Sequence, residues 1–217
     1  KHKQYDGLII TGAPLALLDY SEVSFWDKIC EVFDWAENNV TSTMFSCWAA
    51  HAALYHYYGL NRHLRPQKLS GVYQHYPLGN KEALTRGFDE KFNVPHSRYG
   101  YIEQADYQRI EALDIVAQSD ESGVYLAASK NKRQVYLTGH PEYDTSTLHE
   151  EFIRDRKNNA NTQMPINYYQ DDDMNKKPEG SWRSHGSLLF TNWLNYYVYQ
   201  ITPYQLDADH INATLMK

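Results

Sequence analysis

Thr43-Met-Phe-Ser-Cys47-Trp-Ala-Ala-His51 is the stretch on which the reading of this chain turns. Thr41 to Phe45 is β-branched and apolar, whereas Trp48 to Tyr58 is an alanine-rich run stopped by Gly59. A strand passing directly into a helix is predicted, with a cysteine at the joint. Upstream, Gly7-Leu-Ile-Ile-Thr-Gly-Ala-Pro14 is a short apolar run closed by Gly and Pro, as in a buried strand that feeds a loop. Between them, in residues 21 to 38, Phe25, Trp26, Ile29, Val32, Phe33 and Trp35 recur at helical spacing, with Ser21 or Ser24 able to cap the start. Strand, helix, strand, helix predicts an α/β fold with a mostly parallel sheet flanked by helices.

Further along, residues 62 to 101 are less regular, with strand candidates at Gly71–Tyr76 and His96–Tyr99. Asp114–Ser119 and Gly123–Ser129 read as a hairpin, followed by a strand at Gln134–Thr138 and a helix from Thr145 to Arg156. Residues 157 to 180 are polar and read as a long surface loop with Asp171, Asp172 and Asp173 in solvent. A last helix spans Ser184 to Gln200, and the tail over 205–217 is polar.

The 217 residues fit one domain with a core of its own. With 21 Lys and Arg against 27 Asp and Glu, the net charge is −6, which argues against a nucleic-acid partner. No run approaches the ~18 apolar residues of a membrane span. The opening KHKQYDGLII shows no apolar core or cleavage site of a secretory signal. Two cysteines are too few to staple such a domain, so a reducing, cytoplasmic location is expected.

Cys47 would sit at the carboxyl end of a strand and the amino end of a helix. Helix N–H groups there lower a thiol pKa and can hold an oxyanion. Taken alone, such a cysteine is either a nucleophile or an inert buried residue. Cys30, inside an amphipathic helix, reads as a core residue. The best-placed base is His140 in Leu137-Thr-Gly-His140-Pro-Glu142, at a strand end. Glu142, two residues on, would share its face in an extended segment and could orient the imidazole. His51 and His56 are five apart and do not form a metal-binding helix pair, so no metal is expected.

These residues lie within longer segments: DGLIITGAP, TSTMFSCWAAHAAL, KLSGVYQH, LTRGFD, PHSRY, TGHPEYD, EEFIRD and SWRSHGSLLFTNWLNYYVYQITPY. Together, from Asp6 to Tyr204, they resemble the homoserine O-acyltransferase family of methionine synthesis, with TGHPEYD and SWRSHG the most specific. The resemblance implies a class I glutamine amidotransferase-like (flavodoxin-like) fold. It implies no bound cofactor, with acyl-CoA (succinyl-CoA or acetyl-CoA) as co-substrate and a homodimer as the assembly. It also implies a Cys47–His140–Glu142 triad, with Trp48 and Leu15 at the oxyanion hole. Family positions for the amino-acid substrate fall on Lys68, Ser97 and Arg154. The position associated with acyl-donor choice is Ala16, where glycine accompanies succinyl and glutamate acetyl donors; alanine is small and uncharged and leans towards succinyl. Against the family, residues 1–204 form one acyltransferase domain expected to lack its N-terminal strands, with 205–217 a polar tail. L-Homoserine is the expected acceptor and L-serine the alternative. A glutamine amidotransferase-like hydrolase is a rival, opposed by Ser46 and Trp48 where glycines normally flank the cysteine. A non-catalytic thiol sensor is another.

Overall fold

In the computed structural model, which describes residues 3–79 and 82–203, β1 (Tyr5–Ile10) runs parallel to β2 (Val40–Ser46), and β2 runs parallel to β7 (Gln134–Leu137). Antiparallel pairings extend the sheet from β7 through β6 (Gly123–Ser129), β5 (Leu113–Ser119) and β3 (His63–Pro77) to β4 (Phe92–Tyr101). Among the described residues the order is β1-β2-β7-β6-β5-β3-β4. The α/β class holds, but the sheet is mixed: only β1, β2 and β7 are parallel. Parallel neighbours need a long crossover, here α1 (Trp26–Asn39) between β1 and β2. The short turns after β5 and β6 can only reverse the chain.

Period-2 alternation sorts the core into two layers. Phe45 and Tyr136 point to one face and stack at 5.4 Å beneath Phe33 of α1 and the alanine face of α2 (Trp48–Tyr58). Met44, Val135 and Leu137 point to the other face, against Leu189 and Trp193 of α5 (Arg183–Trp193). Each of these fully buried side chains contributes roughly 1.5–3 kcal/mol. Gly59 ends α2 at φ 68°, a conformation glycine adopts without a Cβ penalty.

Five elements differ from expectation. β3 and β4 are far longer than their apolar cores suggested, because they pair with each other along most of their length. The short α3 (Gln104–Gln108) carries no clear periodicity in sequence. The final helix ends at Trp193 and continues as a wider π-type turn over Leu194–Tyr199. The segment 157–180 is not simply surface: Tyr168 is fully buried, and Ile166 bonds to β3 on either side of Gly71. Gly71 permits that approach, since a Cβ there would lie 2.4 Å from the Ile166 carbonyl oxygen. Asp171 and Asp172 are exposed as expected. The polar tail over 205–217 lies outside the described residues.

Candidate active site

The joint between β2 and α2 is a sharp turn. Cys47 takes φ 51° and ψ −113°, a conformation uncommon for a residue with a side chain. Strain of this kind at a strand-to-helix turn lifts a nucleophile clear of the sheet. The turn is pinned from both sides. Cys47 N–H donates to Leu137 O at 2.7 Å, and Gly12 lies so close that a Cβ on it would stand 3.2 Å from Cys47 Cβ.

His140 follows β7 and is held as closely. Its N–H donates to Pro95 O of β4 at 2.8 Å. A Cβ on Gly139 would clash with Val94 at 2.7 Å and His96 at 2.9 Å, so glycine is required there. From the opposite side, Gly186 of α5 packs on the Pro141 carbonyl, and buried Trp182 donates its indole N–H to Tyr143 O at 2.9 Å. The SWRSHG motif therefore acts as a support for the histidine loop. His140 Nδ1 meets Glu142 Oε1 at 2.8 Å, which leaves Nε2 free to face the cleft.

Cys47 and His140 line one cleft of about 1070 Å³. Burial alone would raise the thiol and lower the imidazole. Their mutual attraction overrides it: His140, aided by Arg98 and the Trp48 N–H, lowers the Cys47 thiol, while Cys47 and Glu142 raise the imidazole. The thiol and the imidazole thus stand as neighbouring opposite charges at the cleft.

The expected oxyanion donors fare differently. Trp48 N–H points at the thiol. Leu15 lines the cleft, but its N–H is engaged by Ala13 O at 2.8 Å. Pro14 between them sets a tight three-residue turn that closes on itself, so Leu15 is not an open donor. Ala16 lines the same cleft, beside exposed Leu17 and Leu18.

Lys68, Ser97 and Arg154 come together at the cleft, but through two carboxylates that the sequence reading passed over. Lys68 Nζ lies 2.8 Å from Asp155 and 3.4 Å from Glu151. Ser97 Oγ donates to Glu151, and so does Tyr143 OH at 2.8 Å. Burial would raise Glu151, yet Ser97, Lys68 and Tyr143 hold it below the usual carboxylate range. Arg154 points two N–H groups at one oxygen of Asp155 and is otherwise well exposed. Glu151, Arg154 and Asp155 share one face of α4 (Thr147–Asn158), and their i, i+3, i+4 spacing was the signal available in sequence. Tyr143 also stacks on His140 at 4.1 Å, linking the two halves of the cleft.

The fold is that of the glutamine amidotransferase class. Solved structures that superpose on it include a glutamine amidotransferase from Thermotoga maritima (TM-score 0.62, 12% identity, 88% of this chain and 78% of that one). Another is a glutamine amidotransferase from Methylobacillus flagellatus (TM-score 0.64, 10% identity, 88% and 76%). Within that class, residues 1–204 match the homoserine O-succinyltransferase family model, and the chain belongs to that family. It is 58% identical over 204 residues to a homoserine O-succinyltransferase from Pseudoalteromonas atlantica, and 55% over 209 residues to one from Tolumonas auensis. These alignments cover 94% and 96% of the chain, which spans 66% of the length of either relative.

Proposed function

We propose that this chain carries the acyl-transfer centre of a homoserine O-acyltransferase of methionine biosynthesis. In the first half-reaction the Cys47 thiolate attacks the thioester carbonyl of an acyl-CoA. The carbonyl oxygen becomes an oxyanion facing Trp48 N–H. As the intermediate collapses, the CoA sulfur leaves and takes a proton from His140, and Cys47 holds the acyl group. In the second half, neutral His140 removes the proton of the amino-acid hydroxyl as that oxygen attacks the acyl carbon. Cys47 leaves as thiolate, the ester departs, and His140 keeps the proton. Glu142 orients the ring and stabilises its cation throughout.

The observation that carries this reading is the pairing of a thiolate–imidazole couple with an amino-acid-shaped charge set in one cleft. An α-amino acid presents an ammonium and a carboxylate. Glu151 and Asp155 suit the ammonium, and the exposed Arg154 fork suits the carboxylate. Ser97 and Lys68 orient Glu151. A glutamine-hydrolysing centre gains no support from Ser46 and Trp48 beside the cysteine.

For the donor, succinyl-CoA is favoured. Ala16 places no negative charge at the cleft, and Leu17 and Leu18 offer an apolar rim for the pantetheine arm. Relatives at 51–58% identity carry the O-succinyltransferase name. A reduced Cys47 suits the cytoplasm. Among the described residues no helix is long and apolar enough to cross a membrane. A homodimer is the proposed assembly, to be read by light scattering.

The test is intact-protein mass after exposure to succinyl-CoA or acetyl-CoA without acceptor, followed by rates with L-homoserine and L-serine. A succinyl adduct, absent in Cys47→Ala and discharged by homoserine, is expected. No adduct from either donor on folded protein would sink the proposal, and faster discharge by serine would reassign the acceptor.

A further inference from the structure

Arg98 lines the same cleft as Cys47, and the acyl-transfer scheme does not use it. It lies on β4 beside Ser97, on the opposite face of the strand, and is only 3% exposed. Its Nε donates to His96 Nδ1 at 3.2 Å and its Nη2 to Ser122 O at 2.6 Å, while Nη1 donates to Gly100 O. A guanidinium has five N–H groups, so two remain beyond these contacts. Among the described residues no carboxylate comes within 4.0 Å of it. Buried cations are normally paired with an anion, so the way this one is held needs a reason.

The reason lies in a chain of neutral imidazoles. Arg98 Nε can only donate, so His96 Nδ1 must be the bare acceptor nitrogen. The proton of neutral His96 is then on Nε2, which lies 3.1 Å from His75 Nε2 and donates to it. His75 in turn carries its proton on Nδ1, which donates to Tyr73 O at 2.9 Å. Ser122 Oγ also meets His75 Nε2, at 2.9 Å. Every hydrogen bond in the chain runs away from Arg98, so each ring turns its electron-rich nitrogen towards the cation. Burial, with Arg98 close by, keeps both rings neutral: it lowers His75 to about 3 and His96 well below the ordinary range. The cation is thereby solvated by dipoles and left un-neutralised.

We propose that Arg98 is a positioning residue, the fixed counter-cation of the Cys47 thiolate, and that the His96–His75 chain exists to hold it there without an anion of its own. The charge environment agrees. Of the groups around the thiol, His140, Arg98 and the Trp48 N–H favour its anion, and the nearby Tyr143 phenol senses its charge. The groups facing Arg98 are Arg65, Tyr73 and His75 from β3, His96 from β4, Tyr107 from α3 and His51 from α2. His51 is kept neutral, pushed down to about 3 by burial and by Arg98 and Arg62. A second cavity of about 520 Å³ on Arg98 holds Glu103, Asp120 and Glu121, none of which reaches the guanidinium. Burial and the neighbouring Arg65 lower Arg98 to about 10, and the Cys47 thiolate and the Tyr107 and Tyr73 phenols oppose the fall. His140 gives up its proton during the cycle, but Arg98 does not, so the thiolate leaving in the second half-reaction still meets a cation.

The inference rests on reading Cys47 as the nucleophile, and its test does not need acyl-CoA. The pH dependence of Cys47 alkylation by iodoacetamide reads the thiol directly, in a Cys30→Ser background with folding checked by circular dichroism. Arg98→Met is expected to raise the midpoint by about one pH unit and, at pH below both midpoints, to slow alkylation ~10-fold. Arg98→Lys keeps the charge and most of the low midpoint. His96→Glu, which gives Arg98 a carboxylate of its own, raises the midpoint with the cation still present, whereas His96→Gln does not. An unmoved midpoint in folded Arg98→Met overturns the proposal. Should that variant not fold, an unmoved midpoint in His96→Glu, or a full rise in Arg98→Lys, overturns it instead. An unmoved midpoint is a separate failure from a missing acyl adduct in the wild type.

Discussion

The two ends of the cleft are built on opposite principles. The reactive end stands on the parallel strands β2 and β7, and its side chains are fixed by backbone. Cys47 is locked between Leu137 O and Gly12, and His140 between Pro95 O, Gly139 and Gly186. The recognition end stands on β3, β4 and α4, and its side chains are fixed by one another. Lys68, Ser97, Glu151, Asp155 and Arg154 form a half-exposed net of ion pairs. The exposed Arg154 arm of that net can exchange Asp155 for a substrate charge at small cost, because exposed pairs are worth little. The reactive end cannot rearrange without a backbone clash. On the proposed function, chemistry is held rigid and recognition is left able to adapt.

The largest expected effect breaks the rigid end outright. Cys47→Ala should abolish acylation and reduce turnover by about 10⁴-fold or more, read by intact mass and coupled rates. His140→Asn should cost about 10²–10⁴-fold in both half-reactions. Gly139→Ala tests the clamp rather than the chemistry. Its new Cβ would meet Val94 and His96 under 3 Å away, so denaturant melts should show a loss of about 1–3 kcal/mol. Acylation should fall with it. An unchanged melt would show that the loop is not clamped.

The adaptable end should break more selectively. Arg154→Ala should raise KM for the amino acid ~10-fold or more, the loss of a charged hydrogen bond. Cys47 acylation should stay near wild type. Equal loss in both half-reactions would remove Arg154 from the acceptor site.

A smaller effect concerns protonation. Cys47 is lowered and His140 raised by each other, against burial. The thiolate–imidazolium form therefore occupies the interval between the two values. As pH falls through the thiol's value the thiolate takes a proton; as pH rises through the imidazole's value the cation is lost. Alkylation of Cys47 should begin at more acidic pH than for a free thiol near ~8.5. In Cys47→Ala the His140 titration, followed by NMR, should move down. An unmoved His140 would assign its shift to Glu142 alone. The smallest effect is outside the cleft: Cys30 is half-buried on α1 and not in the core its helix suggested, so Cys30→Ser should leave acylation within about twofold.

Much of the reactive end was legible because its signals are local. A β-branched run, a cysteine and an alanine-rich helix stand consecutively, and Gly139, His140 and Glu142 lie within four residues. The hairpin of β5 and β6 was equally local. Glu151 and Asp155 were not singled out, because their value depends on Lys68 and Ser97, 54 to 87 positions away in the chain, and Tyr143 joins them through Glu151. The direction of the Leu15 N–H was illegible for a related reason: it depends on turn geometry, which residue type does not specify.

By itself, then, the sequence determined the order of strands and helices in the first third of the chain, the strand-to-helix joint at Cys47 and the chemical types at the site. These follow from hydrophobic period and from residues adjacent in the chain. Tertiary structure decided that the sheet is mixed, that α4 brings its carboxylates to Lys68 and Ser97, and that Arg98 lies buried with no carboxylate partner among the described residues. Those outcomes depend on which segments meet across long separations and on how fully each charge is removed from water. Neither is written in any single window of residues.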